Sequence, residues 1–291
     1  MKPVFEENIM RSKISFIGVG NMATAILNGI TTRPLSPMPW SDIILFDNNE
    51  EKMQRYAANG AHIAKNLREA IELSDCVILC VKPQNFSEVL PAFSDIPNVE
   101  NKLIISIAAG ISTETIAREV KKAPIVRVMP NTPMLISQGV SALCRTQAVS
   151  DEDFDFACNI FASAGKIIKI SEDEMNKIIC VTGSSPAYVF MVIKAMLDAA
   201  ANQGLLKADE FDSGLDQKEL LDAICDTVIG SAMLVKASDK SLTEQIQTVC
   251  SKGGTTEKAV AELEKYKLYE AFDSAMVKCT KRAYELGNEK K

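Results

Sequence analysis

Histidine is almost missing: among 291 residues only His62 carries an imidazole. That excludes a metal centre built on several imidazoles and catalysis by paired histidines. The 8 cysteines (Cys76, Cys80, Cys144, Cys158, Cys180, Cys225, Cys250 and Cys279) form no C-x-x-C pair. A zinc ribbon is therefore not expected, and thiols set in apolar patterns read as small reduced core residues. Positive charge is scarce too: 32 Lys and Arg face 38 Asp and Glu, for a net charge of −6 and a pI near 5.1. Such a balance argues against a nucleic-acid surface. No apolar run is read as approaching a membrane span. Residues 1–12 include Glu6 and Glu7 and lack the apolar core of a secretory signal, so a cytoplasmic protein is expected.

What remains is an ordinary globular composition, 47% hydrophobic and 24% charged, over a length that suits two domains. The most informative stretch is Lys13 to Ala23. A short apolar run, Ile14 to Ile17, reads as a buried strand and leads into G-x-G-x-x-A at Gly18, Gly20 and Ala23. Met22, Ile26 and Ile30 then follow at helical spacing. Gly18 allows a tight turn, Gly20 removes the Cβ that would block a pyrophosphate, and Ala23 lets helix and strand pack closely. The helix start aims free N–H groups and its positive dipole end at the same point, favouring an anion.

Further strands are expected at Ile43 to Phe46, Val77 to Val81, Leu103 to Ile107 and Ile125 to Met129, with weaker ones at Val140 to Leu143 and Lys166 to Ile170. Helical segments separate most of them, which predicts a parallel sheet with right-handed crossovers and a ligand cleft beyond the strands' carboxyl ends. Thr31 to Ser41, with Pro34, Pro37 and Pro39, reads as a loop. Ser150 with Asp153 opens a capped helix that Gly165 closes. Asp47 ends the second strand. Such a carboxylate accepts hydrogen bonds from adenosine ribose hydroxyls and repels a 2′-phosphate, favouring NADH over NADPH. It also suits an N-cap for a helix over Glu50 to Ala58, and Lys52 and Arg55 follow closely enough to reach a phosphate.

From Glu172 onward strand signals vanish. Helices are expected from Ser185 to Gly204, Gln217 to Ala237, Thr256 to Leu263 and Leu268 to Gly287. The division is thus a dinucleotide-binding domain over residues 1–171 and an all-helical domain over 172–291. Apolar side chains such as Val189, Phe190, Ile193, Leu221 and Met233 exceed what one small bundle needs, so burial against a second subunit is expected. Near the end, Ser251-Lys252-Gly253-Gly254-Thr255-Thr256-Glu257 leads two glycines and two threonines into a helix. Its N–H groups and hydroxyls suit a small carboxylate. A flexible turn with a threonine cap explains the spacing equally well.

Together these residues resemble the pyrroline-5-carboxylate reductase family. The resemblance spans essentially the whole chain and rests on Gly18 to Ala23, Val81-Lys82-Pro83-Gln84, Arg127-Val128-Met129-Pro130-Asn131-Thr132-Pro133, Gly183-Ser184-Ser185-Pro186-Ala187-Tyr188 and Gly253 to Thr256. It implies a Rossmann-type parallel-sheet domain followed by an all-helical dimerisation domain. The implied activity is reduction of 1-pyrroline-5-carboxylate to proline with NADH or NADPH, the last step of proline biosynthesis. Coenzyme contacts are implied at Gly18, Gly20, Asn21, Met22, Ala23, Asn66, Cys80, Val81, Lys82, Pro83, Ile107, Ala108 and Ala109, beside Asp47. Gly254, Thr255 and Thr256 would hold the substrate carboxylate. Thr256 would also bond the ring nitrogen, as the catalytic residue. Glu172 matches an acidic position near the substrate, and equally suits a helix N-terminus.

The resemblance further implies a homodimer through the helical domain, possible as part of a ring of dimers, with no metal, nucleic acid or membrane partner. Two positions depart from the family: Ser185 stands where a glycine is usual and Lys252 where a proline is usual. The segment Asn176 to Cys180 is also atypical. A reductase of another cyclic imine or small keto acid, or a dinucleotide-binding regulator without turnover, are the alternatives.

Overall fold

The computed structural model describes residues 11–33, 37–120, 122–207 and 214–288; Glu6, Glu7 and Pro34 lie outside them. The chain divides into two compact units, residues 1–184 with 277–291, and residues 185–276.

The first unit is built on one sheet of eight strands in the order β3-β2-β1-β4-β5-β6-β7-β8. The strands are β1 (Ile14–Ile17), β2 (Ile43–Phe46), β3 (His62–Ile63), β4 (Cys76–Leu79), β5 (Leu103–Ser106), β6 (Ile125–Met129), β7 (Gly139–Arg145) and β8 (Gly165–Lys169). Every pairing is parallel except β6 with β7. The helices are α1 (Asn21–Thr31), α2 (Glu51–Ala57), α3 (Leu67–Glu72), α4 (Phe86–Val89), α5 (Thr113–Ala117), α6 (Asp151–Ala162) and α7 (Glu172–Ile178). The order of the first six strands is the Rossmann order, with its switch point between β1 and β4. Central strands buried on both faces explain their unbroken Ile, Val and Leu runs. One cluster packs α1 and α6 on one face (Phe16, Ile26, Leu27, Phe161), and another covers the opposite face (Val77, Phe86, Phe93, Ile104).

Sequence periodicity places the main strands and the Ser150 cap, whose Oγ accepts from the Asp153 N–H. It misses β3 and α3. The first is two residues long, and the second is six residues started by Asn66, whose Oδ1 accepts from Glu69 N–H at 2.9 Å. Gly165 opens β8 rather than closing α6, which ends at Ala162. Its φ of 152° lets it lie where any Cβ would strike the Gly139 carbonyl.

A third cluster (Met129, Ala142, Cys144, Met175, Ile179) seats α7 on the β6–β7 end of the sheet. Arg127 of β6 runs through it, 1% exposed. Its Nη1 donates to Glu172 Oε1 and its Nη2 to Asn176 Oδ1, each at 2.7 Å, while its Nε has no hydrogen-bond partner among the described residues. Asn131 works alongside it: Nδ2 donates to the Thr182 carbonyl at 3.1 Å, and Oδ1 accepts from Val140 N–H at 2.8 Å. Thr182 lies in a π-helical turn, Ile179–Gly183, closed by Ser184 N–H on the Ile179 carbonyl. Because α7 and this turn are fastened to the sheet, compactness puts the break after Ser184, later than the 171/172 division expected above.

The second unit holds α8 (Ser185–Asn202), α9 (Gln217–Ala237), α10 (Leu242–Val249), α11 (Thr255–Lys265) and the first part of α12 (Leu268–Asn288). Helix α10, with a Ser241–Glu244 capping box, is not foreseen above. Tyr188 and Phe272 meet edge to face, with ring centroids 6.3 Å apart. Many large apolar side chains stay exposed in the single chain, among them Phe190, Met191, Met233 and Leu234. The last part of α12 belongs to the first unit, where Ala283 joins the third cluster and Cys279 Sγ lies 3.2 Å from Ser184 Oγ. All eight cysteines are free thiols, buried or half-buried.

One reading from the sequence needs correction. The continuous helical run Glu172–Asn202 is long and apolar enough to cross a membrane by length and composition. Its first part is packed on the sheet through Met175, Ile178 and Ile179, and its apolar excess lies in α8.

The Arg127 network sets a stability prediction. Arg127→Ala strands the anchor of α7 and should lower unfolding free energy by about 3 kcal/mol. Glu172→Gln keeps an acceptor oxygen but leaves the buried guanidinium without its counter-charge, so it should also destabilise clearly. Urea denaturation of both variants checks this, and a native-like stability in Arg127→Ala would mean the buried guanidinium is not the anchor.

Candidate functional site

The sheet splits at the end of β1. Gly18 N–H donates to the Phe46 carbonyl at 2.8 Å, while Cys80 N–H donates to the Ile17 carbonyl at 2.8 Å. Gly18 has φ +92°, and a Cβ there would lie 3.1 Å from the Cys80 carbonyl, so the turn and the close approach both require glycine. Gly20 is the N-cap of α1. No side chain caps that helix, and its first turn holds no acidic residue. The space a Gly20 Cβ would enter is open. It forms part of a cleft of about 330 Å³ lined by Val19, Gly20, Asn21, Thr24, Glu51, Lys52 and Arg55. An uncapped helix start over an open glycine is a cradle for phosphate oxygens. Ala23 is fully buried against the sheet, and Met22 is partly buried beside it.

Asp47 is turned into the glycine loop. Its Oδ2 accepts from Val19 N–H at 2.7 Å and its Oδ1 from Asn49 N–H at 2.9 Å, with Lys52 Nζ at 3.2 Å. Burial alone would push this carboxyl up. The two backbone donors and Lys52 outweigh it and hold the carboxyl below the usual aspartate range. The helix-cap alternative does not hold: α2 has Glu50 as N-cap, and Asp47 bonds none of its first-turn N–H groups. Arg55 Nη2 donates to Thr24 Oγ1 at 3.0 Å and to the Tyr56 hydroxyl at 2.6 Å, which fixes its cation at the cleft wall. Sequence reasoning passes over two cleft residues, Glu51 and Thr24, the latter one turn beyond Gly20 on the same helix.

The other sequence-predicted coenzyme positions follow neighbouring strands at their carboxyl ends. Cys80, Val81, Lys82 and Pro83 follow β4, with Pro83 opening a 3-10 turn after Lys82. Burial pushes the Cys80 thiol up. Ile107, Ala108 and Ala109 follow β5, where Ile107 N–H donates to the Leu79 carbonyl. Asn66 follows β3, its carbonyl oxygen spent on capping α3.

Glu172, expected near a substrate, has partners for both oxygens within the first unit. Oε1 accepts from Arg127 and from Thr113 N–H at 3.3 Å, and Oε2 accepts from the Cys144 thiol at 3.1 Å. Burial first, and then Glu172 itself, push that thiol up. The geometry is that of a helix N-terminal carboxylate tying α7 to the sheet.

In the second unit, Ser251 to Gly254 make a tight turn, with Gly254 N–H on the Ser251 carbonyl at 2.9 Å and Gly253 at φ +75°. Gly254 is the N-cap of α11; Thr255 and Thr256 are its first two residues, and no side chain caps it. A Cβ on Gly254 would meet Ser251 Oγ at 2.3 Å. Three first-turn N–H groups and two hydroxyls therefore meet at an uncapped helix start.

The Rossmann order with a glycine-loop cradle at its switch point defines a dinucleotide-binding oxidoreductase fold, followed here by a helical domain. The family model described as pyrroline-5-carboxylate reductase dimerisation matches residues 172–286, and the one described as NADP oxidoreductase coenzyme F420-dependent matches residues 13–110. Pyrroline-5-carboxylate reductase of Escherichia coli K12 is 32% identical over 278 residues, covering 95% of this chain and 99% of its own. That of Haemophilus influenzae is 34% identical, covering 94% and 97%. Among solved structures, Plasmodium falciparum pyrroline carboxylate reductase with NADP bound superposes with a TM-score of 0.83 at 25% identity, covering 94% of this chain and 98% of its own. The Coxiella burnetii reductase gives 0.81 at 32%, covering 94% and 98%. The chain belongs to the pyrroline-5-carboxylate reductase family.

Asp47 supplies a pH prediction for this site. Its depressed pKa means its contribution to stability is present above the ordinary aspartate range and is lost as pH falls through its folded value. Asp47→Asn should therefore have a lower Tm than the native chain at pH 7, with the gap closing below about pH 4. Thermal melts across that range check it; a gap that widens on acidification contradicts the assignment.

Proposed function

We propose that the protein reduces 1-pyrroline-5-carboxylate to L-proline with a nicotinamide dinucleotide, the closing step of proline biosynthesis. The observation that carries this is the pairing, within one chain of this family, of the open Gly20 cradle with the uncapped Gly254-Thr255-Thr256 helix start. The first suits a pyrophosphate and the second a small carboxylate.

The bound coenzyme, when reduced, supplies the hydride that forms the new C–H bond at the imine carbon. The rest falls to this chain. Gly18, Gly20, Asn21, Met22 and Ala23 seat the pyrophosphate. Cys80, Val81, Lys82, Pro83, Ile107, Ala108 and Ala109 form the lip along which the rest of the coenzyme lies, with Asn66 at its edge. Gly254, Thr255 and Thr256 hold the substrate carboxylate. The cyclic imine is basic enough to arrive protonated, so the C=N π pair collapses onto nitrogen without a strong protein acid. Thr256 bonds that nitrogen and is the catalytic residue. Positioning of two reactants and exclusion of water supply most of the rate, which fits a chain with a single histidine.

Coenzyme choice turns on Asp47 against Lys52 and Arg55. Asp47 favours the ribose diol of NADH, and the two cations at the cleft wall soften that bias, so NADPH is accepted less well rather than refused. The exposed Phe190, Met191, Met233 and Leu234 form a homodimer surface of the kind that contiguous exposed apolar faces mark. A ring of dimers and a site completed by the partner's loop are extensions of that reading.

Oxidation of NADH and NADPH, followed at 1-pyrroline-5-carboxylate saturation, tests the assignment. Turnover with both is expected, faster with NADH. Thr256→Ala should lower kcat/KM by about a hundredfold. Coenzyme binding without any oxidation would sink the reductase reading in favour of a non-catalytic regulator. Sedimentation gives a separate check: Phe190→Glu with Met233→Glu should convert a dimer to a monomer, and a native chain that sediments as a monomer removes the dimer surface.

A further inference from the structure

The carboxylate-binding turn carries one side chain that the reaction described above does not use. Glu257, the third residue of α11, turns back over the helix start, and its Oε2 accepts a hydrogen bond from the Gly253 N–H. In an ordinary capping box a glutamate in this place bonds the N-cap N–H. Here that group, on Gly254, is already taken by the Ser251 carbonyl. The glutamate reaches one residue further back and so ties the turn to the helix it precedes.

The turn needs such a tie. Ser251 to Gly254 has the i to i+3 hydrogen bond of a β-turn, with Gly253 in the left-handed region at its third position. In a turn of that kind the second position is the one where proline, with its fixed φ, adds rigidity. Lys252 occupies it and leaves that φ free. Gly253 adds freedom of its own, since among the described residues none beyond its chain neighbours lies within 4 Å of where its Cβ would stand. Two adjacent flexible residues thus precede the N–H groups that must converge on a ligand, and among the described residues the side-chain bond to this pair comes from Glu257.

We propose that Glu257 is the positioning residue of this turn: its bond to Gly253 sets the backbone of Gly254, Thr255 and Thr256 for the substrate carboxylate, in place of the rigidity a proline at 252 would supply. The inference rests on the reductase reading of that turn. Glu257 does not touch the substrate in it. Its carboxylate is spent on the Gly253 N–H.

The test compares the native chain with Glu257→Gln, Glu257→Ala and the double variant Glu257→Ala/Lys252→Pro. KM and kcat for 1-pyrroline-5-carboxylate are measured alongside hydrogen exchange at the Gly253 amide. Glu257→Ala should raise KM by about tenfold, the scale of one charge-assisted hydrogen bond, with kcat changed far less, and should speed exchange at Gly253. Glu257→Gln, which keeps an acceptor oxygen, should retain most of the affinity. Lys252→Pro in the alanine background should recover it. Unchanged KM and exchange in Glu257→Ala would overturn the proposal. So would a KM that falls in both single variants, because the carboxylate would then act by repelling the substrate. A native chain without turnover overturns the reductase reading instead, and exchange at Gly253 still decides whether the tie exists.

Discussion

The first unit depends on the way the sheet opens at the end of β1. Up to Ile17 the strand is paired on both sides; at Gly18 one neighbour is held through Phe46 and the other through Cys80. The direction in which successive strands are added reverses across this point, so the crossovers leave on opposite faces and a crevice is unavoidable. Only a residue without a side chain can make the turn and pass within contact of Cys80. The cradle at Gly20, the aim of α1 and the loop brace from Asp47 all follow from that one geometric demand.

At the other end of the sheet a polar contact organises an apolar neighbourhood. Arg127 has no route to water, and it bonds the first and fifth residues of α7 at once. Asn131, four residues on, grips the π-helical turn that follows. The strand and the loop after it thus hold the whole segment leading to Ser184. Irregular helical turns of this kind are costly and persist where their surroundings over-determine them. Here the surroundings are a buried guanidinium and a carboxamide.

Long periodic segments were legible in the amino-acid sequence because burial on both faces of a parallel sheet writes itself as unbroken Ile, Val and Leu runs. The same holds for the α9 boundaries, set by an Asp216 cap and the change to polar residues after Ala237. Short elements such as β3 and α3 lack enough residues to show a period. Asp47 was legible as a carboxylate at the strand end, and not as a brace, because its partner is a backbone N–H that no side-chain pattern reports. Glu172 was ambiguous for a similar reason: its partner lies 45 positions away, on another element. The apolar excess of α8 and α9 was visible as composition, whereas its exposure in a single chain is a property of packing alone.

The path of α12 bears on how this chain comes into being. A ribosome delivers the first unit's strands early, yet the cluster between α7 and the sheet stays open on one side until Ala283 arrives, and Gly110 lacks its close neighbour Gly287. The nucleotide fold is therefore closed by a segment that lies beyond the whole second unit in the chain. Without the last part of α12 the apolar seam formed by Met129, Met175 and Ile179 loses the cover that Ala283 gives it.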